Sequence, residues 1–242
     1  MSSPVHAERL ARLRAELARR GLDGFVVPIS DEHMSEYVGE YAQRMAWLTG
    51  FGGSAGTAAV LPEKAAVFVD GRYTVQVRDQ VDGALFDYVG VPQSSVAEWL
   101  GANVSAGQKV GYDPWLHGID WARGLEKALA AKGASLVAVD AHPLDAAWDD
   151  RPAPSDAVVT VHDAALAGQG AVDKREIIAD WLKAKGLDTT VMTALDSVAW
   201  TFNIRGQDVS HTPVGLAFAL LHADATADLF IAPEKITDAV RA

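Results

Sequence analysis

The 242-residue sequence contains no cysteine and no apolar segment long enough to span a membrane. Without cysteine there is no disulfide, no thiolate metal ligand and no cysteine nucleophile. The longest apolar stretch, residues 214–221, falls far short of the roughly 20 residues of a spanning helix. The first residues also lack the apolar core of a signal peptide. The sequence therefore predicts a cytoplasmic protein without a membrane partner.

Basic residues are also scarce: 21 Lys and Arg oppose 32 Asp and Glu, which gives a formal net charge of −11. An acidic surface repels a phosphate backbone, so nucleic acid is not an expected partner. Hydrophobic residues make up 49% of the chain, which is enough for a sizeable core. These counts predict a folded protein and exclude nucleic-acid binding from its expected functions.

The first stretch of the chain has the pattern of a helix, a tight turn and a buried strand. Ser3 and Pro4 predict the start of a helix, whose apolar residues recur at helical spacing: Leu10, Leu13 and Leu17. Gly21 ends that pattern, and the short apolar run 25–28 predicts a buried strand. This order is typical of an α/β fold.

The same pattern returns later in the chain, which indicates a tandem repeat. Asp173 and Glu176 predict a capping box at the start of a second helix, and Gly186 precedes an apolar run at 191–192. Further along, the matching segments are 45–48 with 198–201 and 66–70 with 227–231.

The two copies differ in length. The distance from Gly21 to Trp47 is 26 positions, whereas Gly186 to Trp200 is 14, which predicts a polar insertion at 31–44 of the first copy. The first copy then continues to about residue 150, with a predicted helix at 121–131 and predicted strands at 84–88, 110–112 and 136–139. The second copy is expected to be incomplete. Charge and two prolines at 149–154 predict a boundary between domains 1–150 and 151–242.

A glycine-rich segment at 50–56 matches two functional motifs. Gly52 to Gly56 has the G-x-S-x-G pattern of a serine-hydrolase nucleophile elbow around Ser54, and 50–55 fits a dinucleotide fingerprint with Asp70 twenty positions on. Both sites need a helix after the loop. The residues that follow predict a β-hairpin of 57–61 with 66–69, so we favour a structural loop.

A few polar residues are candidate metal ligands or bases: Asp31, Glu32, His33, Glu36 and His211. His33 and Glu36 are one helical turn apart, but a metal site normally needs three or four converging ligands, and no matching cluster stands out elsewhere. We therefore predict that 31–44 is a polar surface insertion. His211 is expected to be a hydrogen-bonded structural residue, not a general base.

The sequence Asp70-Gly71-Arg72-Tyr73 has two interpretations. In the structural one, Gly71 permits a turn and Asp70 accepts hydrogen bonds at the start of a helix at 74–81. In the functional one, the planar guanidinium of Arg72 lies at the end of a strand and binds a carboxylate or carbonyl oxygen. The residues alone do not decide between them.

Several motifs, spread in order along most of the chain, together resemble the amino-terminal half of the long, three-domain Xaa-Pro aminopeptidases (aminopeptidase P). They lie at 31–37, 48–57, 68–73, 148–152, 193–200 and 203–209. The resemblance implies two creatinase-like α/β domains, each a mixed sheet with flanking helices, the second cut short. It also implies a third, catalytic domain of the pita-bread fold, which is absent from this sequence.

In that family, the third domain holds two divalent metal ions, usually manganese, on two Asp, one His and two Glu. The resemblance therefore implies no cofactor, no catalytic residue and no metal ligand in this chain, which alone is expected to hydrolyse no peptide. The family removes the N-terminal residue of a peptide whose second residue is proline. Implied partners are such a peptide, the C-terminal catalytic domain of the same protein and a possible homodimer.

By similarity, Arg72 is the one residue of this chain that is expected to contact a bound peptide. Two alternatives stay open. One is a binding or chaperone module with a peptidase-like fold, since some histone-chaperone subunits resemble this family but have inactive metal sites. The other is a prolidase or creatinase relative, although those enzymes have a single N-terminal domain of this kind.

Overall fold

A computed structural model describes residues 4–241, so the predicted N-cap Ser3 lies outside the described residues. The chain divides into two compact units. The first runs to Glu36 and resumes from Tyr41 to Pro152, and the second comprises Tyr37–Glu40 and the residues from Ala153 onward. Over residues 4–241, no helix is long and apolar enough to cross a membrane.

The first unit is a six-stranded sheet with helices on both faces. Its helices are α1 (Pro4–Arg19), α2 (Arg44–Thr49), α3 (Gln76–Gln80), α4 (Val96–Asn103), α5 (Ile119–Ala130) and α6 (Pro143–Ala147). Its strands are β1 (Gly24–Pro28), β2 (Thr57–Val60), β3 (Ala65–Val69), β4 (Asp87–Gly90), β5 (Lys109–Tyr112) and β6 (Ser135–Ala138). The strand order is β4-β3-β2-β1-β5-β6, and only β2 runs antiparallel to its neighbours within this sheet of the described chain. The sheet is mixed, as expected.

Most predicted elements of the first unit are confirmed to within about two residues. The strand predicted at 84–88 is wrong, because it begins at Asp87 and ends at Gly90. Residues 84–86 form a turn in which the N–H groups of Leu85 and Phe86 donate to the carbonyl oxygen of Asp82. Phe86, at the end of this turn, is buried in the core. Its apolar side chain gives the segment the composition of a buried strand.

Helices cover both faces of the first sheet, so β1 and β3 are buried at every position. On one face, α1, α2 and α6 contribute buried leucines: Leu10, Leu13, Leu17, Leu48 and Leu144. On the other face, the buried side chains of α4 and α5 are Trp99, Leu100, Leu125 and Leu129. Each such side chain stabilises the fold by about 1.5–3 kcal/mol relative to an exposed one, so the two helical layers hold the sheet between them.

The second unit has a smaller sheet. Its helices are α7 (Ala164–Ala167), α8 (Ala171–Lys185), α9 (Leu195–Thr201) and α10 (Asp238–Arg241). Its strands are β7 (Thr160–Val161), β8 (Thr189–Met192), β9 (Ile204–Arg205), β10 (Phe218–His222) and β11 (Ala227–Phe230). The strands pair antiparallel as β11-β10-β8 and β7-β9. The parallel pairing of the first unit needs β4, β5 and β6, which follow β3 along the chain and have no counterpart among the described strands of the second unit.

The predicted repeat is confirmed in the order of elements. The correspondences are α1 with α8, β1 with β8, α2 with α9, β2 with β10, β3 with β11 and α3 with α10. Gly21 and Gly186 follow the equivalent helices α1 and α8 with φ of 68° and 65°. Glycine adopts this left-handed conformation without strain, which allows the chain to reverse into β1 and β8.

The strand pairing corrects the alignment of the two copies by one residue. Val26 and Val191 each lie five residues after the glycine that ends the preceding helix, so they are equivalent. Following the strand pairing from each of them across its own sheet makes Phe68 equivalent to Phe230. The sequence alignment had matched Phe68 with Leu229. A run of small apolar residues fits either register, and only the pairing distinguishes them.

The predicted capping box of Asp173 with Glu176 is wrong, because α8 begins at Ala171. Asp173 lies instead in the first turn of α8, where its Oδ2 accepts a hydrogen bond from the Gly170 N–H at 3.3 Å. A carboxylate in this place is stabilised by the N-terminal end of the helix dipole.

A cation from α1 contacts the tryptophan of α2, and a cation from the equivalent helix α8 contacts the tryptophan of α9. Arg9 Nη1 donates to the Trp47 carbonyl oxygen at 2.8 Å, and its guanidinium lies 4.7 Å from the centre of the Trp47 ring. Lys174 Nζ donates to the Trp200 carbonyl oxygen at 2.9 Å and lies 4.5 Å from the centre of that ring. Lys174 also donates to Asn203 Oδ1 at 2.6 Å, and its burial lowers the pKa of the ammonium.

The predicted insertion is tied to the end of the first unit by one shared carboxylate. Arg44 Nε and Nη2 donate to the two oxygens of Asp145 at 2.7 and 2.9 Å, and Arg151 Nη1 lies 3.0 Å from the same carboxylate. Burial alone would lower the pKa of Arg44, but the hydrogen bonds and charge of Asp145 raise it above its ordinary value. The Arg44 side chain is 7% exposed and that of Asp145 is 24% exposed, so this partly buried contact joins both segments.

His142 begins α6 and is buried. Its Nδ1 accepts a hydrogen bond from the Leu144 N–H at 3.2 Å, and its ring meets the ring of Phe25 edge-on. Burial lowers the pKa of His142 well below its ordinary 6.5, and the charges of Arg44 and Arg151 lower it further. The folded protein therefore holds this imidazole neutral.

We expect Lys174→Met to lower the free energy of unfolding of the second unit by about 1–3 kcal/mol, because it leaves the buried oxygens of Trp200 and Asn203 without a donor. Urea unfolding measures the change. Lys183→Met, at an exposed lysine of the same helix, should change it by less than about 0.5 kcal/mol. Equal losses in the two variants would contradict a stabilising role for the Lys174 contact.

We expect the stability of the first unit to fall on acidification below pH 6.5, since only the unfolded chain then protonates His142. The loss is up to about 1.4 kcal/mol per pH unit, and above pH 6.5 this group adds no slope. His142→Asn keeps a side-chain oxygen that caps α6, and it should reduce the dependence of the free energy of unfolding on pH. Part of that dependence should remain, because burial also lowers the pKa of His117. His211→Asn, at an exposed turn with φ of 60°, is the control. Urea unfolding between pH 5.5 and 8 decides, and an unchanged slope in His142→Asn would refute the assignment.

Candidate functional site

Arg72 lies in a 3₁₀ turn, Gly71–Tyr73, that begins where β3 ends. Asp70 precedes the turn in an extended conformation, and its Oδ1 accepts a hydrogen bond from the Arg72 N–H at 2.9 Å. The predicted capping role of Asp70 is therefore confirmed, although the capped element is this short turn and α3 begins only at Gln76.

The same carboxylate also pairs with the Arg72 side chain. Arg72 Nη2 lies 2.8 Å from Asp70 Oδ2, and Nε lies 3.1 Å from Oδ1. The hydrogen bonds and charge of each partner raise the pKa of Arg72 and lower that of Asp70. The Arg72 side chain is 61% exposed. Asp70 takes one donor each from Nε and Nη2 of a five-donor group, so the guanidinium has further donors for a carboxylate or carbonyl oxygen.

The guanidinium of Arg72 lies over the ring of Tyr73. The guanidinium lies 5.0 Å from the centre of the Tyr73 ring, which favours a cation electrostatically. The Tyr73 hydroxyl contacts Ser54 twice, at 3.1 Å from its N–H and 2.8 Å from its Oγ, and these hydrogen bonds lower the pKa of Tyr73. Ser54 Oγ donates in turn to Glu36 Oε1 at 2.7 Å. A turn, a glycine-rich loop and the insertion thus meet at one polar cluster.

The glycine-rich loop has a structural role here. A Cβ atom at Gly53 would lie 2.4 Å from Phe51 and 2.8 Å from the Tyr73 ring, so only glycine fits beneath Tyr73. Strand β2 follows the loop where a nucleophile elbow or a dinucleotide site would need a helix. The preference for a structural loop is confirmed, and the polar cluster is what that loop positions.

The second unit shows what the turn requires for folding. A 3₁₀ turn, Pro233–Lys235, follows β11 at the position equivalent to the Arg72 turn, and there Ala232 and Glu234 replace Asp70 and Arg72. Ala232 provides no side-chain cap. This turn forms without the carboxylate and the guanidinium; it begins with Pro233 and ends with Lys235, whose ammonium lies 2.6 Å from Asp208.

A cleft of about 490 Å³ opens beside Asp70. Its walls are mostly apolar and come from β2, β3 and the first turns of α4 and α5, with Phe68, Val96, Trp121 and Leu125 among the lining residues. Asp70 and Ser95 contribute polar groups to the lining. An apolar cleft bordered by an ion pair suits an amphipathic ligand such as a peptide.

The candidate metal ligands do not converge. Asp31 Oδ1 accepts hydrogen bonds from the N–H groups of His33 and Ser35, Glu32 accepts one from Tyr41, and Glu36 accepts the one from Ser54. Asp31 and His33 are buried, and so are Tyr41, Ala42 and Arg44 at the end of the same segment, so the prediction of a surface insertion at 31–44 is wrong for these residues. Their burial arises from tertiary packing that a polar sequence does not reveal.

Among residues 4–241, no three His, Asp or Glu side chains are grouped to hold a metal ion. The resemblance places the two-metal centre in the third domain, and the candidate ligands of this chain do not form a second one among the described residues. His211 lies exposed in a turn with φ of 60°, and the described contacts give its side chain no hydrogen bond. The expectation of a hydrogen-bonded structural histidine at 211 is therefore wrong, because the turn holds that side chain at the surface. The buried histidines of the first unit are His33 and His142.

The sequence motif contains Asp70, Arg72 and Tyr73, but it does not reveal the contacts of Tyr73 with distant residues. Tyr73 stands beside Arg72 in the sequence, and an aromatic residue adjacent to an exposed arginine is a usable signal for a cation–π support. Ser54 and Glu36 are 19 and 37 residues away from Tyr73 along the chain, in loops without periodicity. The buried pair of Lys235 with Asp208 in the second unit, 2.6 Å apart, also had no sequence signal.

Comparison with known proteins places both units in one family. A sequence model of the creatinase/prolidase N-terminal domain matches residues 9–145, and another with the same description matches 150–242. A probable Xaa-Pro aminopeptidase P from Aspergillus niger is 38% identical over 98% of this chain and 39% of its own length. Aminopeptidase P2 from Arabidopsis thaliana is 34% identical over 97% of this chain and 34% of its own length.

A solved structure is also similar. The X-prolyl aminopeptidase from Caenorhabditis elegans, described as a cytosolic enzyme with a di-nuclear active site, matches with a TM-score of 0.91 and 31% identity. The match covers 98% of this chain and 40% of that protein. The chain thus spans between 34% and 40% of the length of these three relatives.

Proposed function

The chain belongs to the creatinase/prolidase N-terminal domain family, and from that premise we propose that it is the amino-terminal, non-catalytic part of a Xaa-Pro aminopeptidase. In the complete enzyme it contributes a surface of the substrate cleft and a surface for assembly. The substrate is a peptide with proline in second position, and the chemistry belongs to a C-terminal catalytic domain. Relatives that carry the name Xaa-Pro aminopeptidase P support this proposal.

The observation that carries the proposal is the difference between the two equivalent turns. The second unit keeps the turn with Ala232 and Glu234, so folding does not demand Asp70 and Arg72 in the first. An exposed ion pair contributes little to stability, so its presence is better explained by binding. Arg72 is therefore the peptide-contacting residue of this chain.

The geometry gives each neighbour of Arg72 a task. Asp70 holds the guanidinium in one orientation through two parallel hydrogen bonds, and the Tyr73 ring limits its movement on one side. A guanidinium held in this way loses less side-chain entropy when a peptide carbonyl or carboxylate oxygen binds. Ser54 and Glu36 fix the Tyr73 hydroxyl and thereby the base of the cluster.

The proposal also covers the cellular location, the assembly and the ligand of the complete protein. We place it in the cytosol, following the C. elegans relative described as cytosolic, and we include a homodimer as its assembly. Two matches to the family's N-terminal domain favour an aminopeptidase P over a prolidase or creatinase, which have one such domain. An acidic net charge and the turn at Arg72 support a peptide, not a nucleic acid, as ligand.

We expect Arg72→Ala to lower kcat/KM of the complete enzyme for an Xaa-Pro peptide by about ten- to one-hundred-fold, because it removes a charged hydrogen-bond donor from the substrate. Arg72→Lys should recover only part of the activity, since an ammonium lacks the planar fork. The melting temperature should be unchanged. Steady-state kinetics and thermal unfolding give the two readouts.

Arg123→Ala is the matched control, because Arg123 is also an exposed arginine of the first unit and lies 4.0 Å from its nearest carboxylate. It should leave both kcat/KM and the melting temperature as they are. Full activity of Arg72→Ala with a melting temperature lowered by several degrees would show that Arg72 is structural, and the proposed contact would be wrong.

We expect the 242-residue chain alone to hold no stoichiometric manganese or zinc after a chelator wash, and to release no residue from an Xaa-Pro peptide. The reason is the lack of a converging ligand group among residues 4–241. Elemental analysis and amino-acid release measure the two, with the complete enzyme as positive control. Bound metal at one ion per chain, or any released residue, would overturn the non-catalytic assignment.

A further inference from the structure

A glycine lies in the wall of the cleft beside Asp70. The first half of α5 forms this wall, and residues four apart on a helix lie on the same face. Asp120 with Gly124 and Trp121 with Leu125 therefore form two adjacent rows along the cleft. Gly124 lies in the interior of α5, away from both helix ends, so it caps neither of them.

Glycine is an unfavourable residue at this position, and the described contacts do not require it. In a helix interior, glycine is less favourable than alanine because it loses more backbone freedom on folding. Beyond the backbone of α5, a Cβ atom at Gly124 would have no heavy atom of the described residues within 4 Å. At Gly111, by contrast, a Cβ atom would lie 2.7 Å from the Phe25 ring. The missing side chain at Gly124 lowers the stability of the helix and leaves the space over the cleft open.

The interior of the cleft suits an apolar side chain. Phe68 from β3, Val96 from α4 and Leu125 from α5 line it, and its volume of about 490 Å³ is typical of a ligand pocket. The ring of Trp121 also lines the cleft and stacks on His117 at 3.9 Å, which fixes this part of the wall. An apolar side chain that enters the cleft is removed from water, which favours its binding.

The cleft is continuous with the ion pair of Arg72. Asp70 lines the cleft and lies 2.8 Å from Arg72 Nη2, so the guanidinium stands at its edge. A peptide whose carbonyl or carboxylate oxygen binds Arg72 therefore passes the opening of the cleft. The first two residues of that peptide flank the bond that is cut in the catalytic domain. The side chain that reaches the cleft therefore belongs to a residue after the proline.

We infer that this cleft binds a large apolar side chain of a peptide residue that follows the proline, and that Gly124 is a specificity-determining residue that keeps the cleft open. The inference rests on the proposed function, because it takes the ligand at Arg72 to be an Xaa-Pro peptide. It adds a substrate class: peptides of three or more residues with an aromatic or branched aliphatic residue after the proline.

The test compares four pentapeptides as substrates of the complete enzyme. The reference peptide has alanine first, proline second and three further alanines, and the others carry phenylalanine at the third, fourth or fifth position. We expect kcat/KM for at least one phenylalanine peptide to exceed that of the reference by about tenfold or more, because the aromatic ring leaves water in the cleft.

Gly124→Leu should abolish this preference, because the leucine side chain occupies the cleft, and Gly124→Ala should reduce it in part. Glu126→Leu introduces the same side chain at an exposed position of α5 that does not line the cleft, and it should keep the preference. Gly124→Ala should also raise the melting temperature of the 242-residue chain by about 1–4 °C. Gly101→Ala, at a glycine of α4 outside the cleft lining, should raise it similarly and keep the preference. Circular dichroism confirms that each variant is folded.

Equal kcat/KM for all four peptides would overturn the inference but leave the proposed function intact, and it is the result expected if another segment of the complete protein fills the cleft. A preference that survives Gly124→Leu would place the apolar contact elsewhere. A lower melting temperature of Gly124→Ala would show that folding requires the glycine. Failure of the complete protein to cleave any of the four peptides would refute the proposed function itself, and this inference with it.

Discussion

A cation held against the ring and the carbonyl oxygen of a tryptophan joins α1 to α2 in the first unit and the equivalent helices α8 and α9 in the second. The first unit uses Arg9 with Trp47, and the second uses Lys174 with Trp200. The same contact formed by two different side chains shows that the requirement is positive charge and reach. It places the first helix over the sheet, and in the first unit it also orients Trp47 for stacking on Trp148 at 5.4 Å. The buried leucines of α1 can then meet the strands.

Features with a local cause could be predicted from the sequence, and features with a tertiary cause could not. The glycine that reverses the chain after each first helix was predictable, because a left-handed residue follows a helical pattern in both copies. The register of Phe68 against Phe230 was not, because alternation of small apolar residues fits two alignments. The burial of Asp31 was equally hidden, since its N–H donors and the packing around it belong to the folded insertion.

The candidate site also has some features with a local cause and others with a tertiary cause. The end of β3 and the cap by Asp70 follow from a strand, an aspartate and a glycine in sequence. The support of Tyr73 by Ser54 and Glu36 joins loops that lie far apart along the chain, so only coordinates reveal it. The internal repeat adds what a single domain cannot: a 3₁₀ turn at the equivalent position in which the two charged residues are replaced.

The shared carboxylate of Asp145 has a consequence for the order in which the first unit is made. Arg44 and Arg12 come from the beginning of the unit, whereas their partners Asp145 and Asp149 come from its last residues, and Leu144 completes the core around α1. During synthesis, α1 leaves the ribosome long before α6. The first unit therefore cannot close until its final helix emerges, and contacts of such long sequence separation form slowly. Until then, α1 can pack only against elements that lie nearer to it in the chain, such as β1 and α2.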